Sequence, residues 1–164
     1  MVEVTVRDVI PADQLRIREI IDLSFPFFYR FFAANSVKET DEPLLVCEVD
    51  GKLVGFSKLI EFDVSSTRYG CILWIAVHPK FRRQGFALQL TNASIDCLKR
   101  RGCHSVFAST QRWNHGAQLA LSAAGFESVG FWGLRGRFGW RVFGFYVAIW
   151  YAPGELVFWR RMDC

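Results

Sequence analysis

No Cys-x-x-Cys pair occurs in these 164 residues, although five cysteines are present: Cys47, Cys71, Cys97, Cys103 and Cys164. A zinc ribbon and a dithiol redox motif are therefore absent, and no metal is expected. An odd, scattered set suits buried thiols in a reducing cytoplasm. No apolar run approaches the roughly 20 residues that a transmembrane helix needs. The longest, residues 142–152, contains a glycine. Met1 leads straight into alternating Val2, Val4 and Val6, without the basic start and apolar core of a signal peptide. Polar linkers, internal repeats and low-complexity tracts are missing too, so one domain over residues 1–164 is expected. Excess charge is small: 20 Lys and Arg against 16 Asp and Glu leave a net +4. With 51% hydrophobic residues, that balance excludes intrinsic disorder.

What is present reads as a mixed α/β sheet. Alternation at the start predicts a strand, and Pro11-Ala12-Asp13 predicts the cap of a helix carrying Leu15, Ile17, Ile20, Ile21 and Leu23. Phe25-Pro26 breaks it, and an aromatic-rich amphipathic piece follows over residues 27–34. Asp50-Gly51 between the runs Leu44–Val49 and Lys52–Val64 predicts a hairpin with a type I′ turn. Alternation along its second arm sets Ser57, Leu59, Glu61 and Asp63 opposite Val54, Phe56, Ile60 and Phe62. Residues 71–77 are nearly all apolar and predict a central strand. A helix with Leu90, Ala93, Cys97 and Leu98 on one face ends in Lys99, Arg100 and Arg101 before Gly102. A strand over residues 105–109 follows, and then Asn114 caps a helix that Gly125 stops. From Phe126 onward aromatics and glycines dominate in strand-like runs. The expected order is β-α-α-β-β-β-α-β-α-β-β.

The chemically informative stretch is Val77-His78-Pro79-Lys80-Phe81-Arg82-Arg83-Gln84-Gly85-Phe86-Ala87. A buried strand ends, a basic turn follows, and a helix begins at once. Amide N–H groups at a helix start lack internal partners and make an anion cradle. Gly85 lets the backbone approach a bulky group, and Arg82 and Arg83 add charge where a diphosphate sits.

This pattern resembles the acyl-CoA site of the GCN5-related N-acetyltransferase (GNAT) superfamily. Arg82, Gly85 and Ala87 match its Arg/Gln-x-x-Gly-x-Gly/Ala signature, and Val77-His78-Pro79 is similar to its strand-end Val-x-Pro. Downstream, Asn114, Ala117 and Gly125-Phe126 resemble the Asn…Ala…Gly-Phe pattern of the family's last helix. The resemblance implies a mixed, mostly antiparallel twisted sheet flanked by helices on both faces. It also implies transfer of an acetyl group from acetyl-CoA to a primary amine by direct attack. Ile75, Ala76 and Val77 would offer backbone to pantetheine. Arg82, Arg83, Gln84, Gly85, Phe86, Ala87 and Leu88 would surround the diphosphate, and Asn114 would contact the pantetheine arm. The Val77 N–H would polarise the thioester carbonyl. Many relatives pair two-fold.

One family feature is missing. Four residues before Gly125-Phe126, where many relatives carry an acidic tyrosine, stands Leu121. Expelling a thiol of pKa ~8.5 unprotonated at pH 7 costs roughly 2 kcal/mol, which slows the reaction without forbidding it. Ser122, Ser109 or a water are open substitutes. A turn centred near Thr67 places Glu61 across from Trp74, where the resemblance implies a glutamate acting as base; a solvated carboxylate on an antiparallel strand is the other reading. His78 falls on a variable family position, and His104 and His115 read as surface residues. Trp113 and the aromatics of residues 25–32 are candidate walls for the acceptor, which is a small-molecule amine or a protein N-terminus. A non-catalytic CoA-binding domain is the alternative reading, and neither nucleic acid nor membrane is an expected partner. The eleven aromatics after Phe126, spread over two strand faces, would leave a patch for a homodimer to cover.

Overall fold

The computed structural model describes residues 3–38 and 41–162. Val2 of the first strand and the thiol of Cys164 lie outside the described residues. Seven strands form β1 Val4–Asp8, β2 Leu44–Val49, β3 Lys52–Val64, β4 Thr67–Val77, β5 Ser105–Gln111, β6 Glu127–Val129 and β7 Glu155–Arg161. Six helices are α1 Gln14–Ser24, α2 Phe27–Ser36, α3 Phe86–Arg100, α4 His115–Ala123, α5 Phe131–Phe138 and α6 Val142–Ala148. Hydrogen bonding orders the strands β1-β2-β3-β4-β5-β7-β6. The β4–β5 ladder is parallel, whereas β1–β2, β2–β3, β5–β7 and β6–β7 are antiparallel. The expected mixed sheet is borne out. Among the described residues no helix is long and apolar enough to cross a membrane.

The chain divides into two compact units: Met1–Leu59 with Trp74–Ser94, and Ile60–Leu73 with Ile95–Cys164. In the first, Asp50 and Gly51 both take positive φ (49° and 75°), the type I′ turn that Asp-Gly favours. Alternate residues of β4 serve opposite faces. Trp74 and Ala76 pack with Ile17, Ile20 and Ile21 of α1 and Ala33 of α2. Ile75 and Val77 pack with Phe86 and Leu90 of α3. Full burial of a large side chain such as Ile17, Phe86 or Leu90 contributes roughly 1.5–3 kcal/mol. The Arg7 guanidinium forks onto Asp13 (2.8 Å) and Glu48 (2.8 Å), tying β1 to β2 and to the start of α1.

The alternation expected along β3 is not observed, because helices cover both of its faces here. Ser57, Lys58 and Leu59 are all fully buried. Ser57 Oγ meets Ser94 Oγ at 2.8 Å. Lys58 Nζ donates to the Glu42 carbonyl at 3.2 Å and lies 3.6 Å from its carboxylate. A buried ammonium is tolerated only with such partners.

The second unit corrects the reading of the tail. Residues 131–148 are not strands but α5, a short 3-10 turn over Gly139–Arg141, and α6. Leu134, Phe138, Val142, Phe145 and Ile149, spaced three or four apart, form one buried stripe against Ile60, Cys71, Phe107 and Val157. Phe107 and Phe145 meet edge to face at 4.7 Å. The premise that alternate aromatics lie on two faces of strands therefore falls. In the same unit Gly102 and Gly125 take φ +81°, and Phe126 N–H reaches the Leu121 carbonyl, closing α4 as expected.

Candidate active site

β4 ends at Val77, and His78-Pro79-Lys80-Phe81 turn the chain toward α3. The His78 ring is buried, and its Nδ1 accepts from the Lys80 N–H at 3.2 Å, which assigns the proton to Nε2, 3.7 Å from Glu19 Oε1. Burial first, then the Arg16 charge, holds the His78 pKa below its usual value. The unfolded state therefore takes up this proton before the folded one does. Stability is expected to fall as pH drops below about 6.5, before the carboxylates titrate. The melting temperature of His78→Asn, which keeps an acceptor for Lys80, is expected to change less over this range; equal slopes would contradict the assignment.

Arg82, although exposed, is tied back onto the protein. Its Nε donates to the Val77 carbonyl at 3.0 Å and its Nη2 to Ser24 Oγ at 3.1 Å, clamping the turn to the ends of β4 and α1. Arg83, exposed at φ +61°, makes no hydrogen bond or ion pair among the described residues. Its charge is available to a ligand. Gly85 takes φ +85°, and a Cβ there would meet no atom within 4 Å. The first intrahelical bond runs from Gln89 N–H to the Gly85 carbonyl (3.1 Å), so the N–H groups of Phe86, Ala87 and Leu88 precede it. Phe86, itself buried, anchors this end of α3. Free amides, an exposed arginine and an unobstructed approach at Gly85 fit a diphosphate. Gln84 is exposed in the same turn.

The parallel β4–β5 ladder ends at the Ile72–Ala108 pair, so Ile75, Ala76 and Val77 lie beyond it. In the second unit Asn114 is the N-cap of α4, its Oδ1 accepting from the Ala117 N–H at 3.2 Å. That leaves the amide nitrogen of its side chain as a donor. Residues 13–126 match the acetyltransferase (GNAT) family.

The chain belongs to the GNAT family.

It is 31% identical over 110 residues to N-alpha-acetyltransferase 30 of Schizosaccharomyces pombe, covering 64% of this chain and 70% of that protein. Among solved structures it is similar to the ribosomal-protein-S18-alanine N-acetyltransferase of Escherichia coli (TM-score 0.68, 18% identity, 99% and 96% of the two chains). It is also similar to N-acetylglutamate synthase of Neisseria gonorrhoeae complexed with coenzyme A and N-acetyl-glutamate (TM-score 0.70, 20% identity, 99% of this chain and 36% of that one). The family, the fold and the expected activity stand: this GNAT protein is an acyl-CoA-dependent N-acetyltransferase with acetyl-CoA as co-substrate. Among the described residues no group of three or more His, Cys, Asp and Glu is placed to hold a metal ion.

Three positions in this GNAT chain differ from simple expectation. The hairpin turns at Ser65-Ser66, both at positive φ, rather than near Thr67. Glu61 therefore meets Arg68, 3.8 Å away just past the turn, together with Arg101 from the end of α3. Trp74 instead packs edge to face with Phe25 (5.4 Å) and Tyr29 (6.0 Å). The Trp74 indole N–H is buried without a hydrogen-bond partner, a donor that sequence reasoning missed. Leu121 is buried, and Ser109 donates to the Glu155 carboxylate at 2.7 Å, while Ser122 is exposed. His104 Nδ1 bonds Ser105 Oγ, and His115 is exposed on the first turn of α4.

Proposed function

We propose that this enzyme acetylates the α-amino group of a protein N-terminus in the cytoplasm. The observation that carries the acceptor class is the likeness to N-alpha-acetyltransferase 30 over 70% of that protein. Five cysteines, an odd number without a Cys-x-x-Cys pair, support a reducing compartment. The amine attacks the thioester carbonyl directly to give a tetrahedral oxyanion; its proton passes to a base, and collapse breaks the C–S bond and releases coenzyme A as the thiolate. The Val77 N–H is the proposed donor to the oxyanion, and Asn114 the contact for the pantetheine arm.

Proton chemistry supports an α-amine. Freeing a lysine amine (pKa ~10.4) at pH 7 costs roughly 4.6 kcal/mol, whereas an α-amine (pKa ~8) costs roughly 1.4 kcal/mol. Glu61, the proposed base, faces the guanidinium groups of Arg68 and Arg101. A base matters only while the acceptor amine is protonated. Glu61→Gln is therefore expected to lower kcat/KM about tenfold near pH 7, with the deficit shrinking above pH 8. A profile parallel to wild type at every pH would remove Glu61 from the chemistry.

Thiol release from acetyl-CoA with a panel of acceptors tests the whole reading. Peptides with a free N-terminus should react, and the same peptides blocked at the N-terminus but carrying lysine should not. Thiol release with polyamines alone would reject the acceptor class, and none with any amine would favour a non-catalytic CoA-binding domain.

A further inference from the structure

We propose that α5, the following 3-10 turn and α6 form a docking surface for an anionic lipid bilayer. The buried stripe of these helices has a counterpart facing out. Trp140, Phe143, Val147 and Trp150, spaced three, four and three apart, are exposed, with Trp140 76% and Val147 78% accessible. Trp132, 74% accessible, and Phe131 extend the same apolar surface. A helix apolar on both sides implies that something besides water covers the outer one.

Charge selects what covers it. No Asp or Glu occurs from residue 128 to 154, whereas Arg135, Arg137 and Arg141 all fall within that stretch. The Arg135 guanidinium lies 5.6 Å from the Trp132 ring and 4.6 Å from that of Trp140, so cation and aromatics are held on one surface. Arg137 stacks at 3.6 Å over Trp159. The Arg141 side chain bonds the neutral Ser65 hydroxyl and forms no ion pair among the described residues. A two-fold contact would bring two such sets of arginines together with no acid in the segment to pair them. A bilayer with anionic headgroups meets both needs: apolar side chains enter the headgroup boundary while the arginines face phosphate. Tryptophan, apolar with one N–H, suits that boundary. With eight and seven residues, α5 and α6 lie on a membrane rather than span it. This replaces the expectation of no membrane partner, which followed from the absence of a spanning run.

The test is co-sedimentation of the full chain with vesicles. Vesicles of equal phosphatidylcholine and phosphatidylglycerol should pellet the protein, pure phosphatidylcholine should not, and raised salt should release it. Trp140→Ser combined with Phe143→Ser should weaken partitioning by about tenfold or more, with acetyl transfer to a soluble peptide unchanged. Should that double variant fail the circular-dichroism check, Arg135→Gln with Arg137→Gln and Arg141→Gln supplies a second reading, a lost preference for the anionic vesicles. A chain that stays in the supernatant with both vesicles overturns the proposal. So does a two-chain mass in light scattering that the double variant abolishes, because a second copy would then own the surface.

Discussion

Gly85→Val is expected to weaken coenzyme A binding by at least about 30-fold, roughly 2 kcal/mol, while the protein still folds. Two effects act together. At φ +85° a β-branched residue is strained whatever space surrounds it, so the turn would shift to relieve it. The space beyond Gly85 is open, and the Cβ and two methyl groups would stand where an anion must approach the N–H groups of Phe86, Ala87 and Leu88. Gly85→Ala carries the strain with little of the bulk and should fall between the two. Titration calorimetry with coenzyme A measures this, with circular dichroism as the check on folding. Wild-type affinity in the valine variant would sink the assignment of the diphosphate to this turn. Arg83→Gln should give a milder loss, because an exposed charge in water is strongly screened.

The elements readable in the sequence are those whose signals are local. Asp50-Gly51, the stops at Gly102 and Gly125, the Asn114 cap and the strand–turn–helix around Gly85 each depend on residues within a few positions, and each is present. What escaped depends on distant partners or on overlapping patterns. The contact of Arg101 with Glu61 joins residues 40 apart, and that of Arg82 with Ser24 joins residues 58 apart. No spacing rule reports either. The turn at Ser65-Ser66 has no glycine or asparagine to mark its positive φ. In α5 and α6 the helical stripe of Leu134, Phe138, Val142, Phe145 and Ile149 was written in the sequence. A second apolar stripe and the glycines at 130, 133, 136, 139 and 144, poor helix formers, concealed it. Full burial of Lys58 was illegible because period-two alternation assumes one wet face.

Gly55→Ala is expected to lower both stability and turnover, which links the sheet to the chemistry. Gly55 lies in β3 opposite Cys47 of β2, in the first unit, with the last residues of β4 beside it. A Cβ at this position would stand 2.8 Å from the Ala76 carbonyl oxygen, 3.0 Å from Leu90 Cδ1 and 3.3 Å from Val77 Cγ2. The leucine methyl can rotate away, but the carbonyl belongs to backbone and moves only with the strand. Overpacking of this kind costs about 1–3 kcal/mol, which corresponds to a melting temperature lower by roughly 3–10 °C in a chain this size. The displaced residues are Ala76 and Val77, whose backbone is proposed to hold pantetheine and polarise the thioester. A shift near 1 Å at such a point can cost about a hundredfold in rate, so kcat/KM should fall further than stability alone explains. Gly136→Ala is the matched control, since a Cβ in that exposed turn of α5 meets nothing within 4 Å and alanine favours the helix. Melting curves and thiol-release kinetics on the two variants decide the matter. If Gly55→Ala melts and turns over like wild type, β3 does not approach Ala76 as closely as described, and the account of how the sheet positions Val77 fails.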